Sequence, residues 1–416
     1  MSSMRIKLLA SFLLISILLG CDSEQETTPA PIPEPEKTFN FSFRYDTQSE
    51  EANDFELILS NTDGKVLLDT LIAFNTNHSL RLKSGDTKYN LTTVIFDPVI
   101  DTYWIKTYIK VNPDKWNLQY YMISTEPVEE EMADITYINF PNTDFYFRTK
   151  AITNYSGGFS GSLFDNTLTL TGYDKLLPSD LAYIVVPAQG KYMLTEVTSK
   201  QTTVNFTEAG NTVKRKYNRP ADITNFRTFV YGFTKEGDPK SRIELYSPII
   251  KESEEYDLQF PPTGFEAFNL RMFYNDAAGY EHTYTYNVKE IPSEVELSPT
   301  SDFSVSKSGF EDFMIAFTND KPSIYNVNWA ADDPNYYMRW SIFNSPDETS
   351  FKPKAFLEGL KSKKLEGKNM SLFKLFSVSS RKDKDSNYQD ILNFSADPSR
   401  SFYSEVKQDR VIVKHF

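Results

Sequence analysis

The chain has 416 residues, with 57 Asp and Glu against 44 Lys and Arg and a formal net charge of −13. That acidity argues against nucleic acid as the main partner, because phosphate contacts need basic surface. Aromatic residues make up 15% of the sequence, with 25 Tyr and 32 Phe, while Cys21 is the sole cysteine. Stability therefore has to come from aromatic-rich cores and sheet hydrogen bonds, without disulfides.

The first residues read as an export segment. Arg5 and Lys7 make a short basic start, Leu8 to Leu19 is apolar apart from Ser11 and Ser16, and Gly20-Cys21 closes the run. A span needs about 20 apolar residues, so this shorter run predicts a removable signal over residues 1–20. Residues 22–26 are acidic, and Pro29, Pro31, Pro33 and Pro35 then recur at every second position. Such a stretch has too little apolar surface to fold and favours extended polyproline II. Residues 21–37 are thus expected to be a tether, holding the next domain away from the membrane at about 3.1 Å per residue.

The order basic, apolar, Gly-Cys, acidic resembles the lipobox and surface-export tract of Bacteroidota outer-membrane lipoproteins. The resemblance implies a lipid-modified Cys21, with the membrane as a partner through that anchor, and a location on the outer membrane facing the cell exterior. Lipidation would also account for a lone thiol in an oxidising compartment.

Beyond the tether the pattern is overwhelmingly period two. Phe39, Phe41, Phe43 and Tyr45 alternate with polar neighbours; Phe55, Leu57 and Leu59 repeat the alternation before the turn Asn61-Thr62-Asp63-Gly64. Strands of this length, separated by Gly, Asn and Asp turns, predict an all-β chain of tandem immunoglobulin-like antiparallel β-sandwich domains. The first covers residues 38–128. A second spans 134–212, with a hairpin turning at Asp165-Asn166, and a third spans 213–300; whether these are two units or one larger sandwich is left open by the sequence. The last, 301–416, follows a hinge expected at Pro292 to Thr300. There Ala355, Phe356, Leu357, Leu360 and Lys364 predict one short amphipathic helix within 354–365. Residues 352–384 also carry a local charge of +7, from ten Lys or Arg against Glu358, Glu366 and Asp383.

Motifs for chemistry are scarce. His78, His282 and His415 are scattered, with no metal-ligand spacing, and Gly158-Phe159-Ser160-Gly161 is not a nucleophile elbow. Asp383 to Asn387 alternates oxygen donors like a calcium loop, but Tyr388 stands where the loop needs Gly and Phe394 where it needs Glu, so a solvated turn is expected. The sequence therefore predicts neither catalysis nor cofactor nor metal. The aromatic segment 328–340 is more informative. In a strand beginning at Tyr336, the residues Tyr336, Met338 and Trp340 share one face, and Tyr337 and Arg339 the other. Trp329, Tyr336, Tyr337 and Trp340 are the expected ligand-binding residues, because exposed rings stack on sugar faces while neighbouring Asp and Asn bind hydroxyls. The alternative is that Trp329 and Trp340 anchor the core; Trp104 and Trp116 share that ambiguity.

Lipobox, acidic tract, Pro-rich spacer and β-sandwiches together resemble, in organisation, the accessory glycan-binding lipoproteins of Bacteroidota polysaccharide-uptake systems. What this implies is a non-catalytic, lipid-anchored surface protein that binds a polysaccharide. The competing expectation is an adhesin or envelope scaffold docking another protein through its basic residues 352–384, with a surface hydrolase as a third.

Overall fold

The computed structural model describes residues 36–45, 54–73, 77–111, 117–122, 128–155, 157–246, 255–318, 320–396 and 405–416. Cys21, the signal and nearly all of the tether lie outside these, as does Trp116. The described chain is all-β, built of packed sheets as the alternation predicts.

The hairpin signals are realised directly. Asp54–Ser60 and Val66–Ala73 pair across the Asn61 turn, where the Asn61 side chain accepts from the amides of Asp63 and Lys65 and Gly64 takes φ of 86°. Ser160–Phe164 and Thr167–Leu176 pair across Asp165-Asn166, both with positive φ, as a tight two-residue hairpin of this hand requires.

Residues 130–211 form two four-strand sheets. One runs Ser160–Phe164, Thr167–Leu176, Glu130–Ile138, Gln201–Asn205; the other runs Gly210–Asn211, Lys191–Val197, Asp180–Val186, Tyr146–Thr149. Their shared core includes Tyr137, Phe140, Phe147 and Tyr173. Tyr183 and Val185, on the opposite face of Asp180–Val186 from Ala182 and Ile184, enter the core of residues 217–291 instead.

The largest sheet among the described residues has twelve strands. Its order is Arg242–Tyr246, Thr224–Phe233, Ala267–Asn275, Glu281–Val288, Gln408–His415, Lys374–Asp383, Ile324–Asp333, Tyr336–Asn344, Thr102–Val111, Tyr89–Asp97, Asp54–Ser60, Val66–Ala73. Segments from the first, third and last predicted units thus share one hydrogen-bonded ladder. The join between first and last is parallel, Tyr337 to Phe343 against Thr102 to Tyr108. Antiparallel pairing is not universal either: Asn40 to Tyr45 runs parallel to Asn117 to Met122, and Gln201 to Asn205 parallel to Asp134 to Ile138. Such pairings join segments far apart in sequence, which local turn signals do not specify.

The sheet exchanges its cover along its width. On Thr102–Val111, Tyr103, Ile105 and Ile109 enter the core that holds Trp329 and Trp340, while Tyr108 and Val111 enter the core of Phe55, Leu57 and Leu59. This strand and Tyr89–Asp97 are consequently buried on both faces. One position further, on Tyr336–Asn344, Met338, Trp340 and Ile342 are buried while Arg339, on the other face, is exposed. There the second face emerges into solvent.

Among the described residues, three α-helices accompany the sheets. Pro353–Gly359 is the predicted one, cut short at Gly359 and followed by Lys361 at φ of 52°. Lys150–Asn154 and Tyr388–Ala396 were not signalled by periodicity. The second carries its own start signal: Asn387 accepts from the Asp390 amide and Asp390 accepts from the Asn387 amide, a reciprocal cap. The loop with calcium-like spacing is therefore the entry to a helix. No helix among the described residues is long and apolar enough to cross a membrane.

Candidate functional site

Of the expected ring platform, Trp329 and Trp340 have to be withdrawn. They pair directly across the strands Ile324–Asp333 and Tyr336–Asn344 and are 1% and 0% exposed. Residues 303–317 and 351–373 cover that face. Phe310 and Phe313 meet Trp329 edge-on at 5.2 and 6.2 Å, and Phe356 stacks on Trp340 at 6.1 Å. The Trp340 indole N–H donates to Thr107 Oγ1 at 2.9 Å, which settles the polar atom inside the core. Tyr336 is half-buried and already engaged. Lys368 Nζ lies 4.3 Å from its ring centroid, and its hydroxyl accepts from the Asn369 amide.

Tyr337 points the other way and belongs to a cluster on the emergent face. The Arg339 guanidinium carbon lies 5.3 Å from the Tyr337 ring centroid, 5.2 Å from Phe376 and 5.7 Å from Trp104, all within cation–π range. Register explains the convergence. Arg339 pairs with Trp104 on one side and with Ala330 on the other, and Ala330 pairs with Lys374. Between Lys374–Asp383 and Ile324–Asp333 the ladder slips, so that Asn328 opposes Ser377, Trp329 opposes Leu375, and Phe376 has no opposite number. A bulge of this kind re-aims a side chain. Phe376 is 41% exposed, leaning toward Arg339 on one side and His415, at 5.9 Å, on the other.

Next to the rings runs a polar row. Ser341 Oγ donates to Asn328 Oδ1 at 2.7 Å, and Asn328 Nδ2 donates to Ser377 Oγ at 3.0 Å. The arrangement offers apolar ring surface, a guanidinium and hydrogen-bonding side chains on an open sheet face. It provides surfaces for stacking and hydrogen bonding without an enclosed cavity.

Half of the ten basic residues in segment 352–384 form ion pairs, Arg381 with Asp409 among them. Lys354 pairs with Glu311, Lys363 with Asp69, Lys364 with Asp54 and Lys382 with Asp320. Two grooves of about 570 and 580 Å³ adjoin at Lys382 and Lys384. Their walls carry both signs, with Lys110 on Glu348 and Arg410 on Asp302 and Asp320, so the charge is balanced internally. Desolvation by burial, with the neighbouring Arg410, lowers the pKa of Lys382. Of the histidines, His282 is buried against Asp276 and His415 lies near Glu281. Among the described residues no group of three His, Cys, Asp or Glu side chains could hold a metal.

Arg339 and Phe376 were not singled out from the sequence. The period-two pattern places Tyr337 and Arg339 opposite the tryptophans, which is half of the site. Phe376 depends on the bulge, and Trp104 on a parallel pairing between residues over 200 positions apart. No protein-family model matches the chain, and no curated protein is significantly similar to it.

Proposed function

We propose that this is a non-catalytic, lipid-anchored surface protein that binds glycan on the emergent sheet face, through Trp104, Tyr337, Arg339 and Phe376. The observation that carries the reading is the ring cluster around Arg339, flanked by the Asn328, Ser341 and Ser377 row. Ring faces stack on the C–H faces of sugars, while amides and hydroxyls exchange hydrogen bonds with sugar hydroxyls. The anchor rests on the residues around Cys21, and outer-membrane display on the acidic tract 22–26.

Affinity electrophoresis of the full chain against a panel of polysaccharides tests the binding. Tyr337→Ala and Phe376→Ala should each weaken retardation while shifting stability by less than about 0.5 kcal/mol, as surface substitutions usually do. Retention of full binding by the double variant would remove this site from the reading.

A protein partner is the second reading. The turn joining Tyr89–Asp97 to Thr102–Val111 exposes Val99 and Ile100 at 72% and 56%. Asp101 O in the same turn accepts from the Tyr337 amide, so these apolar side chains sit beside the ring cluster. Envelope association abolished by Val99→Ser with Ile100→Ser, and indifferent to Tyr337→Ala, would favour it.

A further inference from the structure

We infer that the ligand is an acidic glycan, whose carboxylate or sulfate group seats over Ala330 between Arg339 and Lys374. The inference rests on the glycan reading and narrows it to a chemical class. Ala330 is the middle residue of a row of three, with Arg339 opposite it on one neighbouring strand and Lys374 on the other. Neighbouring strands lie about 4.8 Å apart, so the two cationic side chains rise from backbone positions roughly 10 Å from each other. The methyl side chain between them leaves the floor low, with Tyr337 and Trp104 around the Arg339 side and Phe376 reaching toward Arg339 from the strand of Lys374.

Charge supplies the argument for an acidic occupant. Among the described residues, neither Arg339 nor Lys374 forms a salt bridge, although both are exposed. Arg339 is instead held by rings, which fix the planar fork without neutralising it, and a fixed fork suits bidentate binding of carboxylate or sulfate. The nearest carboxylate in register, Asp332, opposes Tyr337 one row further along, where it can accept from a sugar hydroxyl.

The probes are a polyuronate, a sulfated galactan and a neutral β-glucan, titrated calorimetrically against the full chain at about 0.15 M salt. There the screening length is about 8 Å, so the local cations outweigh the net charge of the whole molecule. One or both acidic polymers should bind at least tenfold more tightly than the glucan, and which one does separates carboxylate from sulfate. Losing a charge-assisted hydrogen bond should cost about tenfold to a hundredfold, so Arg339→Ala and Lys374→Ala should each erase most of that preference. Ala330→Leu should block the acidic polymer with both charges intact, and circular dichroism would show that the variants fold. If the glucan binds as tightly and Arg339→Ala changes nothing, the acidic assignment is wrong and the glycan reading stands. If none of the polymers binds, both are overturned.

Discussion

At the scale of single residues, the strand Tyr336–Asn344 separates the buried Trp340 from Tyr337 on the emergent face. Trp329 and Trp340 are fully buried, and truncating a core Trp costs about 3–5 kcal/mol. Trp329→Ala and Trp340→Ala should therefore lower the melting temperature severely, whereas Tyr337→Ala should barely move it. Comparable losses for all three would mean that the emergent face is covered after all. His282 provides a pH handle. It is buried, with Nε2 at 3.0 Å from Asp276 Oδ2 and its ring stacked on Tyr274 at 4.6 Å. Desolvation holds its pKa below the usual value despite the opposing pull of Asp276, with Arg410 adding to the lowering and Asp302 opposing it. Folding thus favours the neutral ring, so its contribution is fully present above the unfolded pKa of about 6.5 and is lost as pH falls toward the folded value. Denaturant midpoints from pH 8 to 5 should decline in the native chain, and less steeply in His282→Gln. Parallel profiles would show that another group controls the acid limb.

At the scale of elements, the short helix after Phe351 and the loop beyond it are fixed by a buried carboxylate. Glu56, on Asp54–Ser60, is fully buried and accepts from the Ser362 hydroxyl and from the amides of Lys363 and Lys364. Removing it strands three donors. At about 1–3 kcal/mol for each buried donor left unmade, Glu56→Ala should be among the most damaging single polar substitutions. Lys364→Ala, which breaks only the partly exposed pair with Asp54, should cost under about 1 kcal/mol by urea denaturation. Equal effects would place the attachment in the surface pair. This contact also shows where sequence reasoning stops. Amphipathic spacing announces the helix near Phe356 and the alternation announces each strand, because both are local consequences of one covered face. That Glu56 meets residues 306 positions later is a property of the assembled sheet. So is the meeting of Trp104, Arg339 and Phe376. The tryptophans misled for a related reason: alternation divides a strand into two faces but does not say which face the rest of the chain will cover.

At the scale of the whole molecule, the C-terminal strand is the joint on which continuity depends. Gln408–His415 is antiparallel to Glu281–Val288 on one side and to Lys374–Asp383 on the other. This strand thus closes the ladder between segments that lie on either side of the hinge expected at 292–300. Tyr388 makes a similar link elsewhere, its hydroxyl lying 2.6 Å from Ile109 O and 3.0 Å from Phe343 O on two parallel strands. In such a sheet, damage to the joint should spread both ways. Ile412 is fully buried in the core that also holds Trp329 and Trp340. Ile412→Ala should cost about 2–5 kcal/mol, as large-to-small core substitutions do. Hydrogen exchange gives the sharper reading, because amides opening in one cooperative unit lose protection together. Residues 281–288 and 374–383 should lose protection in parallel in this variant, while 135–138 and 168–170, in the core around Tyr137, should keep theirs. Protection lost on one flank alone would mean that the ladder is continuous in hydrogen bonds but not in stability, with the hinge at residues 292–300 separating two units that unfold independently.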